Sequence, residues 1–327
     1  MLELAEVLEA RQRLAGWIRH TPLVPWTPGG IASRSGEGPV WLKAENLQVT
    51  GAFKARGAMN RLAALREGEK ADSGQVRGVV TASSGNHGQA LAWAGREMGI
   101  DVVVVAPDDA SPAKTRGIEA YGARLERFGT TSRARIERAQ EIARTEGRVF
   151  VSSYDDVYVM AGQGTVGLEI AEDLPDVSEI LVPVGGGGLL AGVATAIRGL
   201  RPGVSLVAVE PEGAAGAFMS ERVGHRVDLE RTESIADGLR TLGPGELTWE
   251  VLARRVDRFV TVSDEAIRAA MRALAFDAKL VVEPSGAATL AAILSGAVSR
   301  RPAQVAVVSG GNVAPEVFRS LIGEERP

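Results

Sequence analysis

From Arg77 onward the chain repeats one pattern, a short β-branched apolar run followed by a helix-patterned stretch: "RGVVTA", "GQALAWAGREMG", "DVVVVAP", "SPAKTRGIEAYG", "ARLERF", Thr131 to Thr145, then "RVFVSS". Apolar runs of this kind suit strands buried on both faces, and strands that alternate with helices pair in parallel. Residues 77 to 151 therefore read as a self-contained αβ unit, entered through the turn-rich "REGEKADSGQ" (66 to 75) and left near Ser152. Alternation then resumes with "EILVPV", "VSLVAVE", "RFVTV" and "AQVAVVS", and the earlier strand "VWLKAE" is expected to join this second sheet. The expectation is an α/β protein of two open parallel-sheet domains with a cleft between them. Residues 1–70 and 152–327 form the large domain and 71–151 an inserted small one, a division that suits 327 residues. The arginine- and glutamate-rich stretch 132 to 148 carries Ile136, Ala139, Ile142 and Ala143 on one stripe and reads as a solvated amphipathic helix.

Composition narrows the function. A net charge of −4 with 24% charged residues leaves no basic footprint for nucleic acid or an anionic membrane, while small neutral or zwitterionic partners stay open. Apolar runs such as "VVVVAP" fall well short of the ~18–20 residues a membrane span needs. The first residues, "MLELAEVLEARQRLAG", are acidic and helix-patterned, unlike an export signal, and the cysteine count is zero. A cytoplasmic location is expected. Three histidines, His20, His87 and His225, are too few to argue for a histidine metal site.

Three loops at strand ends could carry chemistry. "PVGGGGLLAG" places Gly185, Gly186, Gly187 and Gly188 between a strand and a helix, where successive backbone N–H groups and the helix dipole can cradle a phosphate. A dinucleotide reading competes, with Glu210 as the ribose acid, but Leu190 stands where that fingerprint needs a third small residue. "SSGNHGQA" sets Ser83, Ser84, Asn86 and His87 at a helix start, suited to holding a carboxylate beyond what helix capping alone requires. "VVSGGNVAP" brings Ser309 and Asn312 to the end of the last strand, the edge where ligands collect in open α/β sheets. Against these stands Lys54 in "TGAFKARGA", one of only five lysines among 37 basic residues. A desolvated lysine can be shifted below its reference of ~10.4 and act as a nucleophile, which an arginine cannot. An amine, a phosphate cradle, a carboxylate grip and a hydroxyl for a ring nitrogen are the parts a pyridoxal-phosphate enzyme needs.

The motifs "KAENLQVTGAFKARGA", "ASSGNHGQALAWA", "AGQGTVGLEI", "VPVGGGGLLAG", "SIADGLRT" and "VVSGGNV" resemble, in order, those of the fold-type II pyridoxal-phosphate enzymes. Within these the resemblance is to the threonine/serine dehydratase and serine racemase family, over about residues 20 to 315. It implies a tryptophan synthase beta-like fold, pyridoxal 5′-phosphate as cofactor, and a homodimer. By the same resemblance Lys54 bonds the cofactor aldehyde and Gly185 to Gly188 with Leu189 form the phosphate cup. Asn86 lies near the 3′-oxygen and Ser309 at the pyridine nitrogen, and Ser83, Ser84, Asn86 and His87 hold the substrate carboxylate.

The expected reaction is β-elimination of L-threonine or L-serine to 2-oxobutanoate or pyruvate plus ammonia. Lys54 removes the Cα proton, and the neutral Ser309 keeps the ring a weak electron sink. Ser84, where family racemases carry serine as a second acid/base, keeps serine racemase open, alongside a 3-hydroxyaspartate dehydratase. Rivals outside the family are a non-catalytic amino-acid or nucleotide-binding protein and a nicotinamide dehydrogenase built on the glycine loop and Glu210. Two features depart from the family wording. Ala52 replaces the commoner serine before Phe53-Lys54. The family's divalent cation (Mg/Mn) site would use Glu210 and the Ala214 carbonyl, but its second carboxylate falls on Gly216, which disfavours a metal there. The chain ends 15 residues after Asn312, so no C-terminal regulatory domain and no feedback by isoleucine are expected.

Overall fold

The computed structural model describes residues 1–28, 38–71, 77–83, 85–110 and 112–323. Among them, strands form two sheets. The larger contains β1 (Leu23–Trp26), β2 (Val40–Ala44), β7 (Glu179–Pro183), β8 (Ser205–Pro211), β9 (Arg258–Val262) and β10 (Gln304–Val308), in the order β1-β2-β10-β7-β8-β9. Only β1 runs antiparallel; it pairs with β2 through Leu23↔Lys43 and Trp26↔Val40. The smaller sheet consists of β3 (Val79–Ala82), β4 (Val102–Ala106), β5 (Arg124–Arg127) and β6 (Val149–Phe150), parallel throughout and in the order β5-β4-β3-β6.

The apolar runs of the large sheet sort by period two onto two cores. Ile180, Val182, Leu206, Ala208, Val305 and Val307 pack with α6 (Val157–Asp173), α7 (Gly188–Leu200) and α9 (Glu246–Arg255), with α1 (Leu4–Leu14) behind them. Leu181, Val207, Val209, Ala306 and Val308 pack on the other face with α10 (Asp264–Phe276) and α11 (Pro284–Leu294). The short α8 (Gly216–Val223) follows β8, and α12 (Pro315–Ile322) follows β10.

In the small sheet, Val80, Val103 and Val105 meet Ala139 and Ile142 of α5 (Ser132–Glu146), the stripe expected from the sequence. The opposite face packs on α3 (Asn86–Met98), on Ile118 of α4 (Pro112–Ala120), and on Ala55, Ala58, Met59 and Leu62 of α2 (Lys54–Ala71). Helix α2 thus shares its apolar face with the small sheet while its backbone lies on α6. An ideal Cβ at Gly162 would stand 2.7 Å from the Gly57 Cα, so the two helices touch main chain to main chain.

A buried charge cluster locks this junction. The Arg56 guanidinium donates to both oxygens of Glu45, at 2.8 Å each, and to both oxygens of Glu169, at 2.6 and 2.9 Å, with a fifth bond to Thr165. Lys43 Nζ, also fully buried, pairs with Glu169 at 2.6 Å and donates to the Thr21 carbonyl. Every donor of the guanidinium is satisfied, the condition under which ions tolerate burial. Arg56 lies two residues past Lys54, so the cluster anchors the first turn of α2.

Candidate active site

The carboxyl ends of β7 and β10 and the start of α3 face one another across a cleft of about 850 Å³. It is lined by Lys54, Ser83, Asn86, His87, Gly185, Gly186, Gly187, Gly188, Leu189 and Ser309, so these residues, far apart in the chain, share one space. Ser84 lies outside the described residues.

Lys54 is the first residue of α2. The chain reaches it through Thr50 and Gly51, both with positive φ, and Ala52 then forms an antiparallel bridge with Gly310. The Phe53 N–H donates to the Ser309 carbonyl at 3.1 Å, and the Gly311 N–H donates to the Gly51 carbonyl at 2.9 Å. The lysine loop and the Ser309 loop are therefore one hydrogen-bonded seam, and Ala52 is fully buried inside it. Lys54 Nζ donates to the Ser153 carbonyl at 2.6 Å and lies 4.9 Å from the Phe53 ring centroid. With burial as the dominant influence, its amine is pushed down from 10.5 to about 8.

The glycine run has a physical reason at each step. Gly187 caps α7 with φ 91°. A Cβ on Gly186 would stand 2.2 Å from the Tyr154 ring, and one on Gly188 would stand 2.9 Å from the Tyr154 Cα. The Gly186 carbonyl is turned away from the cleft, accepting from Thr248 Oγ1 at 2.7 Å and the Gly245 N–H at 3.2 Å. Among the described residues, no backbone N–H from Gly185 to Leu189 has a protein acceptor. A row of free donors at a helix N-terminus has the donors and the dipole to hold an anion.

The small-sheet side adds Asn86, whose Nδ2 donates to Glu283 Oε1 at 2.7 Å and whose Oδ1 accepts from Asn312 Nδ2 at 2.8 Å. Asn312 also donates to the Thr50 carbonyl at 2.7 Å, tying the Asn86 loop to the lysine loop across the cleft. Ser83 Oγ accepts the N–H groups of Gly85 and Gly88, so its hydroxyl caps α3 as well as lining the cleft. His87 is buried, and neither ring nitrogen makes a hydrogen bond of good geometry, although the Val151 backbone lies close enough to favour its charged form weakly. Burial, and then the Lys54 charge, push it down to about 3, leaving a neutral ring.

Glu210 does not line the cleft. Its two oxygens accept the Ala217 and Phe218 N–H groups at 2.9 and 2.6 Å, at the start of α8, and burial pushes its carboxyl up to about 8. A Cβ at Gly216 would stand 2.7 Å from both the Gly243 Cα and the Leu242 carbonyl oxygen, so main chain occupies the place of the family's second carboxylate. The residues present do not fit a divalent cation here, and no group of three or more metal-ligating side chains converges among the described residues.

Several lining residues escaped the sequence reading. Glu283 carried a signal, an acid immediately before a helix-opening proline in "VVEPSG". Tyr154 carried none, because only the fold brings it onto the glycine loop. Arg135 sits on the helix read as solvated, yet it lines the cleft. It donates to the Thr130 carbonyl and Ser132 Oγ, leaves its buried Nε without a partner, and is lowered by burial, with Asp109 acting in the opposite direction.

A depressed lysine, unclaimed N–H groups on a loop with no room for Cβ atoms, and a buried hydroxyl at the end of β10 fit pyridoxal phosphate. The family model described as pyridoxal-phosphate dependent enzyme matches residues 14–310. The chain is 40% identical over 319 residues to the catabolic L-threonine dehydratase of Staphylococcus aureus strain N315, covering 96% of this chain and 90% of that one. Its structure is similar to that of maize serine racemase (TM-score 0.90, 34% identity, 98% of this chain and 96% of that one). It is also similar to a threonine deaminase from T.th. (TM-score 0.86, 40% identity, 95% and 99%). A pyridoxal 5′-phosphate-dependent aspartate racemase gives a TM-score of 0.88 at 33% identity, over 96% and 97%. Site geometry, family model and relatives agree: the chain belongs to the pyridoxal-phosphate dependent enzymes, in the threonine/serine dehydratase and serine racemase family.

Proposed function

We propose that the protein is an ammonia-lyase that dehydrates L-threonine and L-serine to 2-oxobutanoate and pyruvate, releasing ammonia. The observation that carries this reading is Lys54: an amine held near pKa 8 in a cleft that also presents the glycine cradle and Ser309. Pyridoxal phosphate, when bound, supplies the aldehyde that takes up an amino group and the ring that accepts charge from Cα. The N–H groups of Gly185 to Leu189 would hold its phosphate, Asn86 would stand at its 3′-oxygen, and Ser309 would face its ring nitrogen. Lys54 Nζ moves the proton from Cα, which its low pKa suits near neutral pH. The Asn86 and His87 N–H groups, which open α3 without a protein acceptor among the described residues, would bind the substrate carboxylate. A hydroxyl at 309 brings no counter-charge to the ring, which favours loss of the β-hydroxyl over chemistry that needs a long-lived carbanion. No described helix is long and apolar enough to cross a membrane. A cytoplasmic location and a homodimer complete the reading. The absence of cysteine agrees with the first, and the exposed Phe276 and Val281 offer apolar surface for the second.

One observation favours a second substrate class. Arg135 lines the cleft, and its guanidinium charge suits a side-chain carboxylate such as that of 3-hydroxyaspartate. The deciding assay offers the purified enzyme L-threonine, L-serine, D-serine and 3-hydroxyaspartate and reads both oxo acid and enantiomer. Oxo acid from threonine supports dehydration, whereas D-serine as the main product from L-serine would replace it with racemisation. Arg135→Leu should cut kcat/KM for 3-hydroxyaspartate at least tenfold more than for threonine if the guanidinium reads a carboxylate, as expected for a charge-assisted bond of ~1.5–3 kcal/mol. An equal effect on both substrates refutes that role.

A further inference from the structure

Two adjacent aspartates follow Tyr154, and only one of them is explained locally. Asp156 caps its own helix, α6, accepting from the Tyr158 and Val159 N–H groups, and pairs with Arg61 at 2.8 Å. Asp155 instead directs its carboxylate to a helix more than ninety residues away. It accepts the N–H groups of Glu246 (3.1 Å), Leu247 (2.9 Å) and Thr248 (3.1 Å), the first turn of α9. Gly245 leaves room for this, since a Cβ there would stand 2.2 Å from Asp155 Oδ1. Asp155 itself does not line the cleft.

The helix it caps buttresses the glycine loop. Thr248 Oγ1 holds the Gly186 carbonyl at 2.7 Å, and the Thr248 side chain is 3.0 Å from where a Cβ of Gly187 would be. On the other side, Tyr154 fills the concavity above Gly186 and Gly188, and the Ser153 carbonyl holds Lys54 Nζ. Ser153, Tyr154 and Asp155 therefore touch the lysine, the glycine loop and the helix behind that loop in turn. We propose that Asp155 is a positioning residue for the phosphate cradle: by capping α9 it fixes Thr248, and through Thr248 it turns the Gly186 carbonyl outward so that the neighbouring N–H groups face the cleft.

The inference rests on the glycine loop being the phosphate site. Cofactor-free protein is titrated with pyridoxal phosphate and, separately, with pyridoxal, which keeps the aldehyde for Lys54 but lacks the phosphate. Wild type should bind pyridoxal phosphate far more tightly. Asp155→Ala should weaken pyridoxal phosphate roughly tenfold, the scale of a lost helix cap, and change pyridoxal binding less than twofold. Thr248→Val, which leaves the cap in place, should show the same selective loss. Asp155→Asn, which keeps an acceptor oxygen at the cap, should recover most of the affinity. Parallel loss of both ligands in Asp155→Ala and Thr248→Val would make Asp155 merely structural, and undiminished pyridoxal-phosphate binding in Asp155→Ala would overturn the proposal outright. A wild type that binds both ligands equally would remove the phosphate site itself, and this inference with it.

Discussion

Replacing Lys54 with methionine should make the cofactor-free protein more stable near neutral pH and remove a pH dependence that the wild type carries. The wild-type amine titrates near 8 in the folded chain and at 10.5 when unfolded. Between these values the unfolded state binds the additional proton, so stability rises with pH across that window and is lowest below pH 8. Integrating 2.5 pKa units at ~1.36 kcal/mol each gives a penalty of roughly 3 kcal/mol at pH 7, nearly all relieved by pH 10.5. Terms that do not titrate, such as the bond to the Ser153 carbonyl, cancel when the difference between variant and wild type is followed against pH. Urea unfolding of both proteins from pH 7 to 10.5, read by circular dichroism, should show the variant's advantage shrinking by about that amount. A difference that stays flat with pH would refute the claim that burial depresses this amine. His87 does not disturb the test, because its ring is already neutral throughout the range.

Two other perturbations follow from the same geometry. Arg56→Met strands the carboxylates of Glu45 and Glu169 without their shared guanidinium and should cost about 3–5 kcal/mol in urea unfolding, with cofactor binding weakened because α2 loses its anchor. Gly216→Asp, which restores the carboxylate position of the family's cation site, meets main chain at 2.7 Å. It should lower stability by about 1–3 kcal/mol without making activity dependent on Mg²⁺, measured by thermal melts and assays with and without EDTA.

The sequence disclosed most where one residue type performs one local job. The apolar runs of β7, β8 and β10 announced buried parallel strands because every side chain in such a run must leave water, whichever face it takes. The four glycines stood out because such a run between a strand and a helix costs backbone entropy, and close packing on Tyr154 is part of what requires it. Lys54 stood out because a rare amine was set among arginines. Arg135 failed the same kind of test: its helix does carry a buried stripe at Ala139 and Ile142, and charge richness elsewhere on that helix is ordinary. Only the way α5 is carried by the small sheet to the rim of the cleft makes one of those charges part of the site, and helical periodicity holds no information about that placement. Tyr154 and Asp155 were hidden for a related reason, since their partners Gly186 and Thr248 are distant in sequence and a tyrosine or aspartate in a loop has many cheaper explanations.

Arg56 shares the motif "TGAFKARGA" with Lys54, two positions away, and in a chain rich in arginine nothing in the sequence marks it as buried. Lys54, lowered to about 8 by burial, has no carboxylate acting on it, yet Glu45 and Glu169 are buried at the junction that the same helix makes. Arg56 and Lys43 together balance these two carboxylates, with the Arg56 guanidinium holding each of them through two hydrogen bonds. Arginine suits that task because its charge persists at every working pH and its planar fork matches two carboxylates at once. The two cations of the motif thus have opposite requirements, one able to lose its proton and one unable to, and each is the residue type its position demands.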